Sequence, residues 1–298
     1  MSFADLKKKR KASFDKLRSA AEKAKSNNNF DDDDRYWRPT RDKAGNGSAI
    51  IRFLPAPEGE DHPYIQYWDH GFQGPGGWYI EKCLTTLGKD DPCAEYNSKL
   101  WEYGEGSDQR EQARKQKRRL HFVSNIYVVS DPANPDNEGK VFLYEYGKKI
   151  FDKINDAMFP EFDDDVACNP FDLWEGANFR LRIRKVEGYV NYDKSTFDDV
   201  SALFDDDDKL EEVYKAEHSL EAEVAEDKFK TYDQLKARLD RALAINTATA
   251  STAEDEDETL IKEAPWEPPK EDEVTETTSS DSDEDDDSLE FFQKLAEG

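Results

Sequence analysis

The sequence predicts an α+β fold that is mainly β: a small closed or partly open barrel with peripheral helices, carried between a basic head and an acidic tail. Three observations lead there. Short segments rich in β-branched and aromatic residues recur between residues 48 and 186, most of them bounded by Gly, Pro, Asn or Asp. Helical patterns interrupt them without the regular strand–helix alternation of a parallel sheet. Formal charge is also sorted by position. Residues 254–298 hold 19 Asp and Glu against 3 Lys and Arg, while residues 1–25 hold 9 basic residues against 3 acidic ones.

Taken in order, residues 3–25 read as a helix. Phe3, Leu6, Phe14, Leu17, Ala21 and Ala24 recur at helical spacing among Lys and Arg. That stripe is thin, so the helix needs a partner surface to become ordered. Strands follow at residues 48–54, 64–68, 78–83, 120–129, 141–146 and 179–186. Turn signals stand at Gly45-Asn46-Gly47 and at Gly74-Pro75-Gly76-Gly77. Helices are predicted at 148–158, 205–218 and 231–244. Beyond Thr247 the composition turns to Thr, Ser, Glu and Asp and predicts disorder. Residues 288–296 (SLEFFQKLA) are an apolar exception and read as a docking peptide on an acidic leash.

The whole-chain charge of −26 is therefore an average over segments with different work to do. A basic head, a second basic run at residues 110–119 (REQARKQKRR) and an acidic tail suit a protein that binds a polyanion and covers its own site when empty. No apolar run approaches the ~20 residues that span a bilayer. Three cysteines argue against a disulfide framework and for reduced thiols, with metal binding open.

Binding of a nucleic acid draws on cations for phosphates and, where bases are open, on rings for stacking. Lys115, Lys117, Arg118 and Arg119 run into the strand that holds Phe122 and Tyr127. Tyr144 and Tyr146 precede Lys148 and Lys149, and Tyr189 and Tyr192 follow a basic strand. Phe53, Tyr127 and Trp174 are expected in the core. Two rival functions were open to the same composition. The acidic runs 31–34, 163–165 and 205–208 are a possible Mg²⁺ site for a nuclease, but no His or Lys base stands beside them in sequence. An acidic chaperone or DNA mimic would make the tail the active part. No Gly-rich phosphate loop argues for ATP-driven work, and an enzyme is not expected.

The run 44–55 (AGNGSAIIRFLP) resembles the single-stranded DNA-binding, helix-destabilising proteins of T-even-like bacteriophages. So do, in the same order, Asp69–Gly71, residues 78–81 (WYIE), 131–140 (DPANPDNEGK), 147–155 (GKKIFDKIN) and 174–179 (WEGANF). The resemblance spans residues 36–245. It implies an oligonucleotide-binding (OB) fold, a five-stranded barrel, as the core at 30–253, with a zinc-type subdomain at about 62–119. It further implies a cooperativity arm at 1–29 and a protein-interaction tail at 254–298. By the same resemblance Arg52, Tyr103, Phe122, Tyr144, Tyr189 and Tyr192, with Lys117, Arg118, Arg119 and Lys148, form the DNA-binding set, to which the basic runs add Lys115 and Lys149. Lys7, Lys8, Lys9, Arg10 and Lys11 dock on the neighbouring protomer. Implied partners are single-stranded DNA, further copies of the chain, and replication and recombination proteins on the tail, in the cytoplasm of an infected host and without a membrane.

The family's metal pattern is one His and three Cys. His70, Cys83 and Cys93 match it, and Tyr96 stands where the fourth ligand belongs. A second alignment puts Asp91 and Ala94 at the two later positions, so Asp91 is a candidate ligand. Zinc held by an altered set and zinc lost with the loop repacked are both compatible with these residues.

Overall fold

A computed structural model of the chain describes residues 33–162 and 167–245. The cooperativity arm, the acidic tail and the docking peptide predicted above lie outside the described residues. The chain divides into two units, 1–266 and 267–298, and every described residue belongs to the first.

The centre is one curled antiparallel sheet of eight strands, a half-barrel with a few helices around it. The strands are β1 (Gly47–Phe53), β2 (Ile65–Gly74), β3 (Gly77–Lys82), β4 (Arg119–Ser130), β5 (Val141–Gly147), β6 (Ala177–Val186), β7 (Tyr189–Asn191) and β8 (Thr196–Val200). Their order is β3-β2-β4-β1-β6-β7, with β5 added to β4 and β8 to β6. Helices α1 (Pro92–Trp101) and α2 (Asp108–Lys115) lie between β3 and β4. Helix α3 (Lys148–Met158) follows β5, and α4 (Asp207–Lys215) and α5 (Tyr232–Ala242) come last.

Strand β4 organises the sheet. Its first half pairs with β2, its second half with β1, and its other edge with β5. Phe122, Ile126 and Val128 enter the main core with Phe53, Tyr146, Phe151 and Phe179. Val123 on the opposite face packs with Tyr67, Leu143 and Leu220. Both faces of β4 are thus covered, which is why its sequence lacks polar–apolar alternation. Strand β6 does alternate. Ala177, Phe179, Leu181 and Ile183 point inward, and Arg180, Arg182 and Arg184 point to solvent. The β2–β3 turn approaches α5 so closely that the Gly76 amide donates to the Ala242 carbonyl at 2.8 Å, and a Cβ on Gly76 would overlap the Arg241 carbonyl.

Phe53 is buried and Tyr127 half-buried, as the sequence suggested. Trp174 is not in the core: it is 57% exposed and its indole donates to Asp207. Of the acidic run 205–208, Asp206 caps α4 by accepting from the Asp208 amide.

Candidate nucleic-acid interface and metal centre

An open cleft of about 610 Å³ lies across the sheet. Tyr67 on β2 and Lys82 on β3 form one wall, and Ile183, Val190 and Tyr192 around β6 and β7 form the other. Residues 33–41 contribute Tyr36, Trp37, Arg38 and Arg41. Three cations and three tyrosines thus meet in one groove. Three carboxylates also line it, and each is engaged. Asp33 pairs with Arg35, Glu223 with Arg35 and Tyr36, and Glu145 with His121 and Tyr67.

Cross-strand register builds the wall behind Tyr67. Tyr67 lies opposite His121 and Asp69 opposite Arg119. The Tyr67 and His121 rings stack at 5.2 Å, with the Lys82 ammonium 4.7 Å from the Tyr67 ring centroid. Tyr67 donates to Glu145 at 2.7 Å. His121 sits between Glu145, 3.0 Å from Nδ1, and Asp69, 3.1 Å from Nε2. Burial opposes the imidazolium, but the two carboxylates outweigh it and raise the pKa to about 9. Arg119 makes two hydrogen bonds to Asp69, at 3.0 and 2.9 Å.

The residues expected from the sequence fall into three groups. Tyr192 lines the cleft and Tyr189 is half-buried on β7 beside it. Lys115, Lys117, Lys148 and Lys149 are exposed, and Tyr103 is 52% exposed beyond α1. Arg118 and Arg119 are half-buried at the start of β4. The third group is corrected. Phe122 is 2% exposed, and its ring lies flat on Phe151 with centroids 3.9 Å apart and stacks on Tyr146 on β5. Tyr144 is 3% exposed, edge-on to Trp37. Neither offers a ring face to a base. Arg52 is wholly buried and donates to the Ser201 carbonyl. Arg38, Arg41, Lys82, Tyr36 and Tyr67 were not singled out from the sequence. The register that gathers them is non-local, and no local pattern marks them.

Lys148 and Lys149 occupy the first turn of α3, where the helix dipole disfavours cations. No side chain caps this end, and Gly147 stands at the N-cap.

Beneath α1, donor atoms of His70, Cys83 and Asp91 all lie within 4.8 Å of one another, and all three residues are buried. This group is able to hold a metal ion. His70 Nδ1 donates to the Gln116 carbonyl at 2.9 Å, which leaves Nε2 as the lone-pair nitrogen. Nε2 is buried without a hydrogen-bond partner. Burial lowers the His70 pKa and so keeps the ring neutral, the form that binds metal. Asp91 is held by three amides, those of Cys93, Ala94 and Leu84. The expected ligand Cys93 is not in the group. It is carried round the first turn of α1 into an apolar cluster with Phe72, Tyr79 and Leu239, and Tyr96 packs against the same cluster. Burial pushes the Cys83 thiol up to about 11 and raises that of Cys93 as well.

A family model described as gp32 DNA binding protein like matches residues 45–243. The chain is similar to the single-stranded DNA-binding protein of Enterobacteria phage T4, 40% identical over 248 residues, 78% of this chain and 80% of the relative. It is similar to the protein of the same description from Enterobacteria phage T2, 38% identical over 262 residues, 84% of each. A third, from Escherichia phage SV14, is 39% identical over 94 residues, 30% of this chain and 83% of the relative. With a family model covering two thirds of its length and two phage relatives of 38–40% identity matched over 78–84% of it, this chain belongs to the gp32-like family of DNA-binding proteins.

Proposed function

We propose that this protein binds single-stranded DNA cooperatively and without sequence preference, in phage replication, recombination and repair, and that it is not an enzyme. The observation that carries this reading is the cleft, where Arg38, Arg41 and Lys82 stand among Tyr36, Tyr67 and Tyr192. Bases stack on the half-buried rings of Tyr36 and Tyr192, with Tyr67 as the buried support of Lys82, while phosphates meet the cations, each stacked base contributing ~1–3 kcal/mol. Tyr189, Tyr103, Lys115, Lys117, Lys148 and Lys149 extend the path outside the cleft. The curled sheet is, on this reading, an elaborated OB-type barrel whose groove runs across its face.

Zinc on His70, Cys83 and Asp91 would be structural, tying β2, the turn after β3 and the start of α1 together. A nitrogen, a thiolate and a carboxylate oxygen are all ligand types zinc takes. The segment 62–119 then acts as a zinc-type subdomain placed against the groove.

The basic head, Lys7 to Lys11, engages the next protomer along DNA. The acidic tail covers the cationic groove in free protein and, once displaced, recruits replication proteins. Duplex melting follows from preferential binding to single strands, with no nucleotide hydrolysis. Deleting residues 254–298 tests the gate. The shortened chain is expected to bind a single-stranded polynucleotide more tightly, with an altered salt dependence. Unchanged affinity and salt response would remove the tail from the mechanism.

A further inference from the structure

Arg118 and Arg119 are neighbours with different fates. Arg119 is bound to the Asp69 carboxylate, which compensates its charge. Among the described residues the groups that hold Arg118 are neutral. Its guanidinium lies 4.2 Å from the centroid of the Trp68 ring, and Nη1 donates to Thr85 Oγ1 at 3.0 Å. Among the described residues no carboxylate pairs with it.

The support for Arg118 is itself fixed. The Trp68 amide donates to Thr86 Oγ1 at 2.9 Å, and the Trp68 carbonyl accepts from the Cys83 amide at 2.8 Å. The turn that carries Thr85 and the strand that carries Trp68 therefore form one unit. Thr85 Oγ1 accepts from Arg118, so its own proton is free to point to Cys83 Sγ, 3.0 Å away. One hydroxyl thus joins the arginine to a member of the metal-binding group.

A guanidinium ordered by a carboxylate has a partner that repels phosphate. One ordered by an indole face and a hydroxyl has lost rotamer freedom without losing net charge. We propose that Trp68 and Thr85 are positioning residues that pre-set Arg118, which does not itself line the cleft, as a further phosphate-binding cation. The proposal rests on the single-strand-binding reading above, and it adds two residues that no sequence pattern marks.

The test is a double-mutant cycle in the full-length chain. Binding of a single-stranded polynucleotide is titrated at several salt concentrations for Arg118→Ala, Thr85→Val, Trp68→Leu and the two double variants. Loss of one phosphate contact lowers the magnitude of the log–log salt slope by about 0.7 on a single strand. Arg118→Ala is expected to show that change. Thr85→Val and Trp68→Leu are expected to weaken binding about threefold to tenfold, and to have no further effect once Arg118 is alanine. Thr85→Ser keeps the hydroxyl and is expected to bind like the unaltered chain. Equal weakening by Thr85→Val and Trp68→Leu with and without Arg118 would show a merely structural role and overturn the proposal. So would an unchanged salt slope in Arg118→Ala. If the unaltered chain fails to bind at all, the functional reading falls first and takes this one with it.

Discussion

Phe122 and Tyr192 show how two rings from the same sequence reading end with different work. Phe122 is sealed between Phe151 and Tyr146, so Phe122→Ala is expected to cost ~3–5 kcal/mol of stability. Tyr192 is half-buried and faces the cleft. Tyr192→Leu keeps most of the apolar volume and removes the stacking surface. It is expected to leave the melting temperature within a few degrees while weakening single-strand binding by ~1–3 kcal/mol. Chemical denaturation of the first variant and DNA titration of the second check the division. This distinction was not legible in the sequence. β4 is covered on both faces, so alternation could not tell an inward ring from an outward one, and the ring stacked on Phe122 from the same sheet comes from a strand about twenty residues away. Asp91 was legible only as an alternative ligand, because its inward position depends on capping α1.

His121 carries a pH signature. Its folded pKa of about 9 lies above the ordinary 6.5, because Asp69 and Glu145 favour the charged ring more strongly than burial disfavours it. A raised pKa stabilises the folded state fully below pH 6.5, and that contribution fades as pH rises through 9. A shift of this size corresponds to about 3 kcal/mol. Thermal melts between pH 6 and 10 are expected to show this loss, and His121→Gln is expected to flatten it. An equally steep decline in the variant would assign the loss to other groups.

At the scale of elements, helix α3 was read to its boundaries, because Ile150, Phe151 and Ile154 keep a clear inward stripe. The six expected strands lie within a few residues of their places, although β2 runs six residues beyond its expected end as the outer arm of the β2–β3 hairpin, and the short β7 and β8 were not expected. Helices α1 and α2 were missed. Both are short and polar, and their formation depends on the caps Asp91 and Ser107 and, for α1, on packing against α5 and β2–β3. Helix α5 is the clamp on this lobe. Lys230 and Arg238 both pair with Glu81 on β3, and Thr231 closes a capping box with Gln234. Thr231→Ala is expected to lower stability by ~1 kcal/mol, read by denaturant titration. Zinc bound to the folded state alone adds about 2.7 kcal/mol at one hundred times its dissociation constant. Added zinc is therefore expected to raise the melting temperature, and Cys83→Ser to abolish that increment. A rise that persists in Cys83→Ser would place the ion elsewhere.

At the scale of the molecule, the fold is a curled sheet whose long central strand brings distant cations and rings to one groove. Charge sorting along the chain made a polyanion legible, and ordered motif matches made the family legible. The groove itself was not. Arg38, Arg41, Lys82, Tyr36 and Tyr67 come together only through the pairings of β2, β3 and β6 and the segment before β1. The central claim is that this groove binds single strands by stacking and phosphate contact. Its most direct test is quenching of intrinsic Trp and Tyr fluorescence when the full-length chain is titrated with a single-stranded polynucleotide at several salt concentrations. The account predicts strong quenching, a steep fall in affinity with salt, and weakened binding in Lys82→Ala and Tyr192→Leu. Absence of quenching, or binding indifferent to both salt and those two substitutions, would contradict it.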